Sequence, residues 1–243
     1  MNKRLVQVIG AIVALAMGLL SYAIVSGHLP LVTTAQARSV TMPANPQILY
    51  IAPQGVTRGW VNEQAMQTRG AKVLYDWTSA QSVASQSPVD GVLVDASLFK
   101  SMSNPERSWL LAQFHQGVAL VSLGLEDDEF TRVLGLQTLL APAEGFNRRG
   151  PTGYRLVRAI AVGTPDDLRI LEASNWVQRA IQGGTDTPNN IKRPLFTSFV
   201  KTQGKVDSAQ ELDLLFFQLR SAIEGAYKIR AEFQDAMKNF KGN

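Results

Sequence analysis

The densest group of side chains that could carry chemistry is a run of four carboxylates, Glu-Asp-Asp-Glu, at positions 126–129. Asp76 and Asp95 each follow a short apolar run that is typical of a strand. In parallel α/β sheets, ligands bind beyond the carboxyl ends of the strands, where these positions would meet, and carboxylate oxygens suit Ca²⁺ and Mg²⁺. The candidate ligand or cation rim is therefore Asp76, Asp95, Asp127 and Asp128. Acidic residues in the first turn of a helix also stabilise that helix without any ligand.

The composition of the chain argues against most other kinds of catalytic or metal-binding site. Cysteine is absent, and histidine occurs only as His28 and His115. Without thiols there is no thiolate nucleophile and no CxxC redox chemistry, and one histidine outside the N-terminal segment leaves little material for a histidine metal site. We therefore predict no catalytic residue, no assigned metal ligand and no cofactor, and a non-enzymatic protein is favoured over an enzyme.

The charge balance argues against a nucleic-acid partner. The chain carries 24 basic and 20 acidic residues, and Lys3 and Arg4 supply two of the positive charges ahead of the first apolar segment. After Ala37 the balance is 22 to 20, and basic pairs such as Arg148-Arg149 stand alone. A surface that binds polyanions needs clustered Lys and Arg. We predict no nucleic-acid binding.

Residues 1–37 are predicted to direct the chain to a membrane. Residues 5–25 are uncharged and mostly apolar, and as a helix they would span about 30 Å, the thickness of a bilayer core. Lys3 and Arg4 precede this run, so the positive-inside rule places the following domain on the extracytoplasmic side. Two alternatives stay open. The segment is either a retained membrane anchor or a signal peptide cleaved after Ala37, which would leave a secreted or periplasmic protein.

The rest of the chain predicts one α/β domain at residues 47–206, after a proline-containing linker at residues 38–46. Its strands alternate with helices at the spacing of βαβ units. We expect a three-layer, flavodoxin-like domain with a mainly parallel sheet of four or five strands. The predicted strands are 47–52, 71–77, 91–95, 118–123 and 154–162, with a possible edge strand at 195–201, and the predicted helices include 56–69, 79–86 and 103–116.

The stretch from Gly91 to Leu125 combines a strand, the helix SNPERSWLLAQFHQG and the strand VALVSLG. In this order of elements it resembles class I glutamine amidotransferase-like domains. The resemblance implies the α/β architecture and not the activity, because the position that matches the catalytic cysteine of that family lies near Ser122. His115 precedes the strand that Ser122 ends, so the two are about 20 Å apart and His115 cannot activate Ser122 within one subunit. His115 is interpreted as the end of a helix, where its positive form suits the dipole.

The last element, in residues 207–243, is a long helix that starts at the capping sequence Ser208-Ala-Gln-Glu211 and continues to about residue 241. Apolar residues recur along it at alternating spacings of four and three, a heptad seam. Three interpretations are weighed: a helix that lies across its own domain, a helix–helix contact with another subunit or protein, and a membrane-surface helix, which its weakly basic polar face disfavours. A glycine in a helix interior, such as Gly225, costs about 1 kcal/mol of stability relative to alanine. We therefore expect a neighbouring element to approach the helix closely at Gly225. The residues proposed to face a partner are Leu212, Phe216, Leu219, Ile223, Phe233, Met237 and Phe240.

Together these features predict a membrane-associated, extracytoplasmic protein with a non-enzymatic interaction or assembly role. Residues 5–25 would contact the membrane, and residues 208–241 would bind a protein partner or a second copy of the chain. The alternative is a ligand- or cation-binding domain, or a hydrolase, that uses the carboxylate rim.

Overall fold

The computed structural model describes residues 39–125, 130, 133, 151–174, 176–177 and 195–240. Within these residues, no helix combines the length and the apolar character needed to cross a bilayer. The predicted anchor or signal segment, residues 1–37, and two members of the predicted carboxylate rim, Asp127 and Asp128, lie outside the described residues. Residues 39–46, most of the predicted linker, form neither helix nor strand.

A mixed sheet of six strands forms the centre of the domain, in the order β2-β1-β3-β4-β5-β6. The first four strands pair in parallel, as the alternation of strands and helices predicts. β5 runs antiparallel to β4, and β6 runs antiparallel to β5 over ten residue pairs. The sheet is therefore larger than the expected four or five strands and only partly parallel. The strands are Ile48–Ile51 (β1), Ala71–Leu74 (β2), Gly91–Asp95 (β3), Ala119–Leu123 (β4), Gly153–Val162 (β5) and Phe196–Lys205 (β6).

Helices cover both faces of this sheet. Their bounds are Glu63–Thr68 (α1), Trp77–Gln86 (α2), Ala96–Lys100 (α3), Asn104–His115 (α4), Pro165–Ala173 (α5) and Ala209–Asn239 (α6). On one face, apolar side chains of β1, β3 and β4 pack against α2, α3 and α4. On the other face, they pack against α1 and α6. β1, β3 and β4 are buried along their whole length, which explains their near-continuous apolar sequences. The arrangement is a three-layer α/β domain.

The segment between β1 and β2 departs from the sequence-based prediction of a helix over residues 56–69. Helix α1 begins only at Glu63, where the side chain of Asn62 accepts a hydrogen bond from the Ala65 N–H at 2.9 Å. Gly55 and Gly59 ahead of it have positive φ angles of 75° and 57°, which a right-handed helix excludes. Residues 52–62 are instead a loop at the carboxyl edge of the sheet.

The predicted C-terminal helix is confirmed as α6, which is 31 residues long, or about 46 Å at 1.5 Å per residue. Ser208 Oγ accepts a hydrogen bond from the Glu211 N–H at 3.2 Å. The side chain of Glu211 accepts one from the Asp207 N–H at 2.7 Å, so the capping sequence works as predicted except that Glu211 reaches one residue further back. The helix lies across β4, β5 and β6, and its first half is therefore part of the core.

Candidate functional site

Asp95 lies at the carboxyl end of β3 and is completely buried. Arg58, from the loop after β1, donates two hydrogen bonds to it: Nε to Oδ2, and Nη2 to Oδ1 at 2.9 Å. The Ser97 N–H donates a third to Oδ1 at 2.9 Å, and the Ser97 hydroxyl donates a fourth. The carboxylate therefore caps α3 and ties the loop of residues 52–62 to the edge of the sheet.

The protonation state of this pair follows from its contacts. Burial alone would raise the pKa of Asp95, but the hydrogen bonds from Arg58 and Ser97 outweigh it, and the pKa of Asp95 is lowered. The hydrogen bond to Asp95 raises the pKa of Arg58. Both groups are thus charged near neutral pH, and each oxygen of the carboxylate already accepts hydrogen bonds from the protein.

Tyr50 adds a polar atom near the Arg58–Asp95 pair. Its ring is buried in β1, and within the described part of the chain its hydroxyl meets no hydrogen-bond partner. Burial and the negative charge of Asp95 raise the pKa of Tyr50, so the phenol stays protonated. It lies where β1 borders both β2 and β3, at the reversal of strand order where α/β folds bind ligands.

Asp76, the other described member of the predicted rim, is exposed and caps α2. Its carboxylate accepts from the N–H of Ser79 at 2.7 Å and from the hydroxyl of the same residue at 2.9 Å. These hydrogen bonds lower the pKa of Asp76. No hydrogen bond joins Asp76 to Asp95, and within the described ranges no three acidic or histidine side chains come together in a way that could hold a metal ion. Each of the two aspartates has its own capping role.

His115 and Ser122 lie where the sequence places them. His115 is the last residue of α4, and Ser122 is buried inside β4. Burial lowers the pKa of His115, which favours the neutral imidazole over the positive form expected for a histidine at a helix end. The cause is desolvation, which the sequence pattern does not reveal.

The predicted partner face of α6 divides into two parts. Leu212, Phe216, Leu219 and Ile223 are buried in the core of their own domain. Beyond Arg230, the described residues of α6 are half-buried or exposed. The seam continues there through Phe233, which packs beside Ile160 and Val162, then through half-buried Met237, and it ends at Phe240, which is 39% exposed.

The sequence patterns did not predict the polar contacts that α6 makes with the sheet and with the residues just before its strands. Tyr227 donates a hydrogen bond to Asp90 at 2.7 Å, and Arg230 donates one to the carbonyl of Gln116 at 3.0 Å. Arg158 of β5 is also buried, and a Cβ on Gly225 would lie 3.2 Å from its Nη2 atom. The close neighbour that Gly225 predicts is therefore this guanidinium. The available signal was two arginines, Arg155 and Arg158, inside a mostly apolar strand, and a third, Arg230, inside the apolar seam of α6.

Comparison of the chain with protein-family models, with characterised proteins and with solved structures finds no match in any of the three.

Proposed function

We propose that this chain is a membrane-associated, extracytoplasmic protein with a non-enzymatic interaction or assembly role, and that it self-associates through the end of α6. The supporting observation is that the apolar seam of α6 continues past the residues that its own domain buries. After Arg230, the last buried residue among those described, Phe233 still packs beside Ile160 and Val162, and Met237 and Phe240 continue the four-three spacing beyond it. Apolar side chains in this pattern are stabilised when a second helix covers them.

A second copy of the chain is the partner that this surface fits best. A seam with heptad spacing is complementary to itself, and a two-fold axis brings the same patch of both subunits together. The polar flank of this stretch carries Asp235 and Lys238, which pair within the helix at 2.9 Å. Because these opposite charges lie side by side, the flank carries little net charge that would repel an identical helix.

The non-enzymatic part of the proposal is supported by the carboxyl edge of the sheet. Asp76 and Asp95, the two members of the predicted rim that the structure describes, are both occupied as helix caps. The order β2-β1-β3-β4-β5 is that of flavodoxin-like domains, with β5 reversed, and it supports the proposed flavodoxin-like architecture. The membrane location rests on residues 5–25 and on the two basic residues ahead of them.

The oligomeric mass of the full-length chain, purified in detergent and measured by light scattering, tests the contact. We expect a dimer for the wild type and a monomer for the double variant Met237→Lys, Phe240→Lys. Lysine suits the end of a helix, so the helix itself should persist. Asn239→Lys adds one positive charge on the opposite side of that turn and should remain dimeric. A double variant with the wild-type mass would contradict the proposal.

The membrane topology has its own test. A reporter enzyme that folds only outside the cytoplasm, fused after Asn243, should be active in cells that produce the chain. Sequencing the N-terminus of the mature protein then separates the two alternatives, because a start at Arg38 indicates a cleaved signal peptide and an intact Met1 indicates an anchor. An inactive reporter would contradict the extracytoplasmic location.

The alternative function, a ligand- or cation-binding domain or hydrolase, predicts a different result. Mg²⁺ or Ca²⁺ titrated into the full-length protein would then give a calorimetric signal that Asp95→Asn abolishes. Because Asp95 and Asp76 already accept hydrogen bonds from the protein, we expect no such signal. A saturable signal lost in Asp95→Asn would favour the alternative.

A further inference from the structure

Of the residues that the structure describes, Arg158 has the largest fully buried side chain, at 1% exposure. It points from β5 toward α6, between the apolar residues Leu156 and Ile160 on the same side of the strand. Its Nη2 atom donates one hydrogen bond, to Ser198 Oγ at 3.0 Å. Among the described residues, neither Nε nor Nη1 meets an acceptor. Most of the hydrogen-bonding capacity of this guanidinium is therefore unused.

The charge of Arg158 also has no counter-charge among the described residues. The charged side chain that acts on it is Arg230, and burial together with this second cation lowers the pKa of Arg158 to about 10. The guanidinium thus remains positive at neutral pH. A buried cation is unfavourable unless an anion and hydrogen-bond acceptors accompany it.

Two small residues, Gly225 and Ser198, border this guanidinium in addition to its larger apolar neighbours. Gly225 places bare helix backbone against it, since an added Cβ would lie 3.2 Å from Nη2. Ser198 stands on the other side, on β6, which pairs with β5 at one end of the sheet. Gly225 and Ser198 are both half-buried, so the surroundings of the Arg158 guanidinium reach the surface at these two residues.

We propose that Arg158 binds a small oxyanion at the junction of β5, β6 and α6. The oxygens of the anion would accept from Nε and Nη1, and the Ser198 hydroxyl can turn to donate a further hydrogen bond. Charge-assisted hydrogen bonds of this kind are the strong ones. The anion would supply the missing counter-charge and would tie α6 to the pair of strands beneath it. Its residues, Arg158, Ser198 and Gly225, belong neither to the Asp95 site nor to the seam proposed for self-association.

Titration of inorganic phosphate into the full-length protein in detergent tests the site, with chloride adjusted to keep the ionic strength constant. We expect the melting temperature to rise with phosphate and to saturate, because a ligand that binds the folded state stabilises it. Arg158→Met should lose this rise. Arg169→Met removes an exposed arginine and should keep it. Acetate, titrated in the same way, distinguishes a phosphate site from a carboxylate site.

Two results would overturn the proposal. In the first, Arg158→Met responds to phosphate and acetate as the wild type does, which indicates an adventitious ion only. In the second, neither anion affects the wild type. If Arg158→Met does not fold, Gly225→Ala decides the question, because its methyl group crowds the guanidinium. Ser221→Ala, an exposed change on the same helix, is the control. Weaker anion binding in Gly225→Ala than in Ser221→Ala supports the site, and equal binding in the two variants contradicts it.

Discussion

Arg58 and Asp95, 37 residues apart in the sequence, are joined by two hydrogen bonds at the carboxyl edge of the sheet. The same carboxylate accepts from the N–H of Ser97 and so caps α3. One buried charge therefore fixes three parts of the fold: the loop after β1, the end of β3 and the start of the next helix.

Replacing Arg58 with methionine should destabilise the protein strongly. The substitution leaves the Asp95 carboxylate buried without its counter-charge, and the expected loss in free energy of unfolding is about 3 kcal/mol. Urea denaturation at neutral pH measures it. Arg169→Met breaks an ion pair between two exposed side chains and should cost under about 1 kcal/mol. Equal losses in free energy of unfolding for Arg58→Met and Arg169→Met would mean that the contact between Arg58 and Asp95 stabilises the fold no more than an exposed ion pair does.

The contribution of Asp95 to stability should disappear in acid. Its folded-state pKa lies below the ordinary value of 3.8, so the folded state binds the proton less readily than the unfolded state. The stabilisation is complete above the unfolded pKa and is lost as the pH falls through the folded one. The difference in free energy of unfolding between the wild type and Asp95→Asn should be constant above about pH 5 and should shrink below about pH 4. A difference that grows as the pH falls would mean that the pKa of Asp95 is not lowered in the folded state.

Loss of the α2 cap should be measurable at Asp76. Alanine there removes the acceptor for the Ser79 N–H, and loss of an N-cap costs about 1 kcal/mol. Asp76→Ser keeps a capping oxygen and should retain most of the stability. Thermal or urea unfolding of the two variants provides the comparison. If alanine and serine behave alike, the capping role of Asp76 is wrong.

Gly117 should tolerate alanine poorly for two separate reasons. Its φ of 82° is in the left-handed region, which costs an ordinary residue about 1–2 kcal/mol. An added Cβ would also lie 3.0 Å from the side chain of Ile160. Gly55 has a similar φ of 75° but nothing within 4 Å of a Cβ, so Gly55→Ala isolates the backbone effect. Gly117→Ala should cost more than Gly55→Ala by urea denaturation, and equal costs would remove the role of Ile160.

Local sequence determined the parts of this fold whose physics is local. Helix α4 (Asn104–His115) begins after Ser103, whose N–H donates a hydrogen bond to the side chain of Glu106 at 2.6 Å, and it ends shortly before Gly117, which has a positive φ. The four parallel strands are short, mostly apolar runs, and α6 has a periodic apolar face. Short-range hydrogen bonds, backbone conformation and hydrophobic periodicity act within a few residues, so the sequence displays them directly.

The tertiary structure decided which side chains meet. Asp95 follows an apolar run and its position was predictable, but its partner Arg58 comes from a loop that sequence patterns assigned to a helix. The burial of Arg158 depends on Gly225 and Ser198, which lie on two other elements. The α6 seam is a single pattern in the sequence, yet only packing against β4, β5 and β6 makes Leu212 core and leaves Phe240 partly exposed. These outcomes depend on contacts and desolvation between distant segments, which no local pattern encodes.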